Sequence, residues 1–397
     1  MSEFIDDGMA RRNAFVLAVS QSIAGALAPM AITMGGLAGS YLLGADKSLA
    51  TLPVTGFVLG TAFGTIPAAH LMRYVGRRNG FITGTFIALI GALVSMVAVL
   101  RESFWLFFIG HVAIGFAAAF VQQYRFAAAD TASAALKPKM ISWVMFGGVG
   151  AAIVGPQAVI FTKDLLSPVP FAGAYGGAAV LALLGGTVLL LLRTPPVTDA
   201  QVEASGRSLR QIISQPRFVI AVLCAICSYS IMSFVMTAAP LAMIACNHSQ
   251  AEAALGIQWH VLAMFLPSFF TGNLIARFGK ERVVVAGLGL LVACAIVGLT
   301  GVELANFWIA LVLLGVGWNF GFIGATAMVA DTYEHSERAT VQGVNDFLVF
   351  GFVAFASFMS GNLLNDYGWD TLLIVVFPMA ALAFAALAWA RVALPRP

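Results

Sequence analysis

The sequence predicts an all-α polytopic membrane protein of twelve transmembrane helices, arranged as two pseudo-symmetric six-helix bundles. Three observations predict it. The 397-residue chain is 60% hydrophobic and only 10% charged, with a mean hydropathy of +0.93, whereas a soluble domain carries about 25% charged residues. Apolar runs long enough to cross a hydrocarbon core, about 20 residues each, recur from Ala14 to Trp389 with short polar breaks between them. Polar signatures of the first half also return in the second at a nearly constant offset.

Taken in order, the runs fall at 14–42, 49–71, 79–100, 104–129, 140–162, 171–192, 218–244, 253–276, 283–302, 305–330, 340–364 and 371–390. Lipid offers no partner to a bare backbone N–H or C=O, so each run is read as a helix. The first run is too long for a signal-peptide core, and the N-terminus is expected to stay in place. With both termini cytoplasmic, every Lys and Arg faces that side except Lys47, Arg101, Lys163 and the intramembrane Arg125. This is the asymmetry that retained positive charge imposes on topology. The stretch from Arg193 to Arg217 holds Pro195, Pro196 and Pro216. It divides the chain into an N-terminal bundle (1–193), a cytoplasmic linker (194–217) and a C-terminal bundle (218–397).

Internal repetition carries the two-bundle reading. Leu71-Met-Arg73-Tyr-Val-Gly76-Arg77-Arg78 follows span 2, and Leu274-Ile-Ala-Arg277-Phe-Gly279-Lys280 follows span 8, an offset of 203 residues. Asp130 with Lys137 closes span 4, and Asp331 with Arg338 closes span 10, an offset of 201. Gly76 and Gly279 are expected to take positive φ in tight turns. The cations beside them either set topology alone or, with the acid–base pairs, form a cytoplasmic gate of Arg77, Arg78, Asp130, Lys137, Lys280, Asp331 and Arg338. A surface ion pair is worth only about 0–1 kcal/mol, which suits a contact that exchanges. Glycines at four-residue spacing, Gly56, Gly60 and Gly64 in span 2 and Gly317 and Gly321 in span 10, let helices approach closely.

Polar side chains inside spans are costly, so they carry the functional signal. Gln21, Gln122, Arg125, Tyr229, Thr237, Trp318 and Asn319 are the candidates for solute contact. Arg125 either snorkels to the interface, near Asp130, or meets solute or a coupling ion. Trp318 either stacks a flat ring or fills space. His260 and Asp346 are the coupling candidates, because a histidine changes charge near neutral pH and Asp346 lies inside span 11. A buried histidine can equally be a neutral packing residue.

Several chemistries are excluded or left without support. Basic residues sit in breaks rather than on a face, so no nucleic-acid surface is expected. Cys224 and Cys227 form a C-x-x-C among apolar residues and read as packing, Cys294 also lies inside an apolar run and Cys246 near the outer end of one, and no disulfide framework is implied. No H-E-x-x-H cluster occurs, and the chain is expected to be no enzyme and to need no cofactor or metal.

These residues resemble the major facilitator superfamily over the whole chain. The family carries G-x-L-a-D-R-x-G-R-K between spans 2 and 3 and a weaker copy between spans 8 and 9, as Leu71 to Arg78 and Gly272 to Lys280 do here. Gly155-Pro156 is similar to its span 5 motif. Arg73 and Ala276 stand where the family's loop Asp would, and His111 stands near the span 4 Arg of many proton-coupled exporters. The phrases Gln122-Gln-Tyr-Arg125-Phe-Ala-Ala-Ala-Asp130, Ile257-Gln-Trp-His260 and Gly317-Trp-Asn319 are similar to a bacterial branch of riboflavin transporters. The resemblance implies a secondary active transporter in the inner membrane of a bacterium, working by alternating access between its halves. It implies uptake of riboflavin or a similar vitamin-like metabolite, with proton-coupled efflux of drugs or metabolites as the alternative. The implied partners are a small solute, the bilayer and protons as a coupling ion, with the chain acting as a monomer.

Overall fold

The computed structural model describes residues 6–129, 132–133, 136–193, 209–333 and 338–393. Among these the chain folds into α1 (Asp7–Ala24), α2 (Leu27–Leu42), α3 (Leu52–Leu100), α4 (Phe104–Gln122), α5 (Tyr124–Ala129), α6 (Lys137–Thr162) and α7 (Ala172–Leu189). There follow α8 (Leu209–Ile213), α9 (Pro216–Ala245), α10 (Gln250–Phe265), α11 (Ser268–Phe278), α12 (Lys280–Leu299), α13 (Leu304–Ala330) and α14 (Arg338–Ala393). No strand occurs among the described residues.

Among the described residues ten helices are long and apolar enough to cross a membrane, eleven with the bent pair α10–α11 counted as one span, and dividing α14 at Gly368 makes twelve. Helix α3 holds two spans joined at Gly76, whose φ of 80° and ψ of 164° reverse the chain. Gly279 does the same between spans 8 and 9 with φ 90° and ψ 152°, so the two positive-φ glycines expected from the repeat are found at matching places. A third, Gly368 at φ 81°, splits α14 into spans 11 and 12. A side chain at such φ would crowd the carbonyl of the preceding residue, which glycine avoids. The start of α1 and the end of α14, an even number of spans apart, lie at one end of the bundle, here the terminal end, and the opposite end is the far end.

Three spans are broken where apolar composition gave only a continuous run. Span 1 starts earlier than its apolar residues, because Asp6 accepts the Met9 N–H at 2.8 Å and caps α1. It then breaks between Ala24 and Leu27. Pro29, one turn on, has no N–H to return to Gly25, and the Gly25 carbonyl takes the Ala28 N–H at 3.3 Å instead. Span 8 bends by 42° between α10 and α11 at Leu266-Pro267. Span 4 breaks at Gln123. Most of the expected linker, 194–208, lies outside the described residues.

Close backbone approach builds each half. A Cβ on Gly115 would stand 1.9 Å from the Phe57 carbonyl oxygen, and one on Gly60 would stand 2.2 Å from that of Val112. Spans 2 and 4 therefore touch backbone to backbone, and the Thr61 hydroxyl donates to the Gly115 carbonyl at 3.0 Å. In the second half Gly287 meets Gly321 and Gly317 across spans 9 and 10 in the same manner.

The halves meet towards the far end. The Thr55 hydroxyl of span 2 donates to Ser357 of span 11 at 3.3 Å, and the Gln157 amide of span 5 donates to Gln258 of span 8 at 2.8 Å. Gly36 packs on Leu241 of span 7, and Gly361 packs on Thr51. Between this closure and the terminal end lies a cavity.

Candidate functional site

The cavity has a volume of about 320 Å³ and is walled by both halves, within the range of about 300–1,000 Å³ that takes small organic ligands. Both walls are largely apolar, and each carries its own polar and aromatic groups. The N-terminal half contributes Gln21 from span 1 and Gln122, Gln123 and Arg125 from span 4. The C-terminal half contributes Tyr229 from span 7, Trp318 and Phe322 from span 10, and Asp346 and Phe350 from span 11.

The break in span 4 sets the position of Arg125. Tyr124 is fully buried, edge-on to Phe81 at 4.7 Å, and its hydroxyl accepts from Ser20 at 3.3 Å. With Tyr124 locked into the N-terminal core, the next residue is turned to the cavity. The Arg125 guanidinium lies 4.8 Å from the Phe126 ring centroid, and its buried Nε has no hydrogen-bond partner. Arg125, Tyr229 and Asp346 lie within electrostatic reach of one another. The carboxylate accepts from Asn345 Nδ2 at 3.0 Å.

On the opposite wall the aromatic rings form a platform. Trp318 and Phe322, one helical turn apart, stack at 5.3 Å with planes 17° apart. Tyr229 meets Trp318 edge-on at 5.3 Å, Phe322 at 4.9 Å and Phe350 at 5.6 Å. The Trp318 indole N–H is buried without a partner.

Five of the seven sequence-derived solute candidates, Gln21, Gln122, Arg125, Tyr229 and Trp318, line this one cavity, three from the N-terminal half and two from the C-terminal half. Thr237 and Asn319 do not. Thr237 shares a 3.3 Å hydrogen bond with Ser357 in the far-end closure. Asn319 turns away from the cavity and spans the bend in span 8: its Nδ2 donates to the Met264 carbonyl at 2.6 Å and to Ser268 Oγ at 2.7 Å, and its Oδ1 accepts from Thr271 at 2.6 Å. It pins the place where Pro267 interrupts the helix ladder. Asn319→Ala is expected to cost about 1–3 kcal/mol of stability by orphaning these buried groups. The check is the thermal midpoint of the purified protein, and an unmoved midpoint would remove Asn319 from this role.

Of the coupling candidates, Asp346 is on the wall. His260 is fully buried away from it, with Nδ1 2.8 Å from the Leu311 carbonyl and Nε2 without a partner. His111 is likewise buried, 3.1 Å from the Tyr175 hydroxyl. In the gate, Lys280 pairs with Asp331 and donates to the Ala327 carbonyl at 3.0 Å. That pair ties span 9 to span 10 within one half. Arg77 reaches Met72 Sδ at 4.0 Å, and Arg78 is exposed. Asp130 lies outside the described residues, as do the side chains of Lys137 and Arg338. Phe322 and Phe350 are wall residues that sequence reasoning passed over. The four-residue step from Trp318 to Phe322 was the available signal.

The model of the Major Facilitator Superfamily matches residues 13–255 and 221–397. The riboflavin transporter RfnT of Brucella anthropi is 49% identical over 384 residues, covering 96% of each chain. An uncharacterised MFS-type transporter of Bacillus subtilis, YdeG, is 30% identical over 397 residues, covering 96% of this chain and 92% of its own. Among solved structures, the crystal structure of the nucleoside transporter NupG superposes with a TM-score of 0.74 at 14% identity, covering 96% of this chain and 99% of that one, a likeness of fold. A family model that takes in nearly the whole chain, on a structure of two six-span halves around a shared cavity, leaves one assignment: the chain is a transporter, not an enzyme, and it belongs to the Major Facilitator Superfamily.

Proposed function

We propose that this transporter carries riboflavin, or a metabolite with the same flat ring and polyol tail, into the cell across the cytoplasmic membrane of a bacterium. The observation that carries the reading is that one cavity holds an aromatic platform of Tyr229, Trp318 and Phe322 from one half and the polar groups Gln21, Gln122 and Arg125, set among apolar residues, from the other. A flat ring gains offset or edge-on contacts with such a platform, each worth about 0.5–1.5 kcal/mol beyond area burial. Side-chain amides, which both donate and accept, suit the hydroxyls of a polyol. The near-full-length similarity to RfnT at 49% identity supports the same choice.

In this reading the two bundles, 1–193 and 218–397, rock about the cavity while the far-end contacts open and the terminal end closes. Both termini face the cytoplasm, where the basic residues concentrate. The Lys280–Asp331 pair holds its own half together during the motion, and the remaining gate residues, Arg77, Arg78, Asp130, Lys137 and Arg338, act at the terminal end. Asp346 takes the proton if the cycle is proton-coupled, because it alone of the two coupling candidates faces the solute. A monomer suffices for this cycle.

The test is thermal stabilisation of the purified protein across riboflavin, nucleosides, sugars and drugs. A solute held at 100 times its Kd stabilises by about 2.7 kcal/mol, so riboflavin should raise the midpoint where uridine and glucose do not. A shift with another solute and none with riboflavin would reassign the substrate. Labelled riboflavin in right-side-out vesicles then reads direction: accumulation supports uptake, and exclusion driven by a proton gradient would mean efflux.

A further inference from the structure

We propose that Arg125 and Asp346 together read the imide edge of the bound ring, the carboxylate accepting the imide N–H and the guanidinium donating to a flanking carbonyl. This rests on the flat-ring reading above and assigns which edge of the ring faces which wall.

Three observations point the same way. First, the cavity wall brings one cation and one anion together from opposite halves, span 4 and span 11. Among the described residues neither group spends its hydrogen-bonding capacity on the other: the Arg125 Nε has no partner, and the Asp346 carboxylate takes only its neighbour Asn345. Two ionisable groups held apart in one cavity form a donor beside an acceptor. A polyol does not require that pattern, whereas an imide presents it in complement, as one N–H between two carbonyls.

Second, Tyr229 joins the two regions. Its ring edge touches Trp318 and Phe322, and it lies within electrostatic reach of both Arg125 and Asp346. A ring lying against the platform therefore extends its edge towards the charged pair. Third, the amides that suit a tail, Gln21, Gln122 and Gln123, lie on the N-terminal wall, leaving the single carboxylate free for a fixed donor. Charge-assisted hydrogen bonds are roughly twice as strong as neutral ones. A site that commits them to an edge of fixed pattern gains discrimination, because an analogue lacking the donor leaves the carboxylate unpaired.

The experiment compares riboflavin, 3-methylriboflavin, whose imide N–H is replaced by N–CH₃, and lumiflavin, which keeps the ring and edge without the polyol. Dissociation constants are read by flavin fluorescence on the full chain in detergent, for the native protein and for Asp346→Ala. The native protein is expected to bind 3-methylriboflavin about 10- to 100-fold more weakly than riboflavin, and to bind lumiflavin, which keeps the imide edge, more tightly than 3-methylriboflavin. Asp346→Ala should bind riboflavin and 3-methylriboflavin equally. Equal binding of the two by the native protein would overturn the proposal, and this comparison needs no variant to fold. Full discrimination by Asp346→Ala would equally remove Asp346 as the reader. Failure of the native protein to bind riboflavin at all would instead bring down the proposed substrate, and this assignment with it.

Discussion

A Thr55→Cys, Ser357→Cys variant, oxidised to a disulfide, is expected to lose transport by at least about tenfold and to recover it on reduction, because one of two alternating states becomes inaccessible. The two hydroxyl oxygens are 3.3 Å apart on spans 2 and 11, so sulfurs placed at the same γ positions start close to one another, as an S–S bond of about 2.05 Å requires. Thr237 bonds the same Ser357 at 3.3 Å, and Gly361 rests on Thr51, so small residues close this end. Interhelical side-chain hydrogen bonds in membranes average only about 0.6 kcal/mol. A closure made of them opens easily, and a covalent link replaces an exchangeable contact by a permanent one. The chain's own Cys224, Cys227 and Cys294 are buried, and the partly exposed Cys246 is best replaced by Ser in the test background. Cross-linking confirmed by mass, with uptake into proteoliposomes unchanged, would show that this end does not move. Loss of uptake in either single-cysteine variant would show that the residues themselves, not the link, are responsible.

The twelve crossings were legible because burial in lipid writes itself as composition: each span is a predominantly apolar run, and the breaks between them gather charge and glycine. The repeat of Gly76 as Gly279 was legible for a related reason, since only glycine tolerates the positive φ that both adopt. Inside a span, composition says less. Trp318 and Asn319 are neighbours in the chain, yet Trp318 lines the cavity and Asn319 is buried against the bend of span 8. Successive helical positions point about 100° apart, and lipid and core both accept apolar residues, so no polar stripe marks which face is inward. The same degeneracy hid Phe322 and Phe350 among 31 phenylalanines, most of which meet lipid or core equally well. The breaks in spans 1 and 8 carried a signal in Pro29 and Pro267. An apolar-run reading could not use it, because proline is tolerated in membrane helices whose neighbours satisfy the freed backbone. Asn319 is that neighbour for span 8.

Arg125→Ala is expected to reduce the rate of solute uptake by about 10- to 150-fold, the range corresponding to hydrogen bonds from a charged group worth about 1.5–3 kcal/mol. The loss has two sources. Solute acceptors lose the guanidinium, and Asp346 is left as an uncompensated charge inside the membrane, an expensive arrangement. Arg125→Lys should fall between the native protein and Ala, since it keeps the charge but not the planar fork. Membrane insertion should be unaffected, because the anchor of this segment is the buried Tyr124 rather than the arginine. The measurement is the initial rate of labelled riboflavin uptake into proteoliposomes at matched protein content, and near-native uptake would remove Arg125 from the site. The double variant Arg125→Ala, Asp346→Ala separates the two sources. Because the groups act on each other across the cavity, the double variant should lose less than the product of the two single losses. Independent losses that multiply would mean that each residue serves a different step of the cycle.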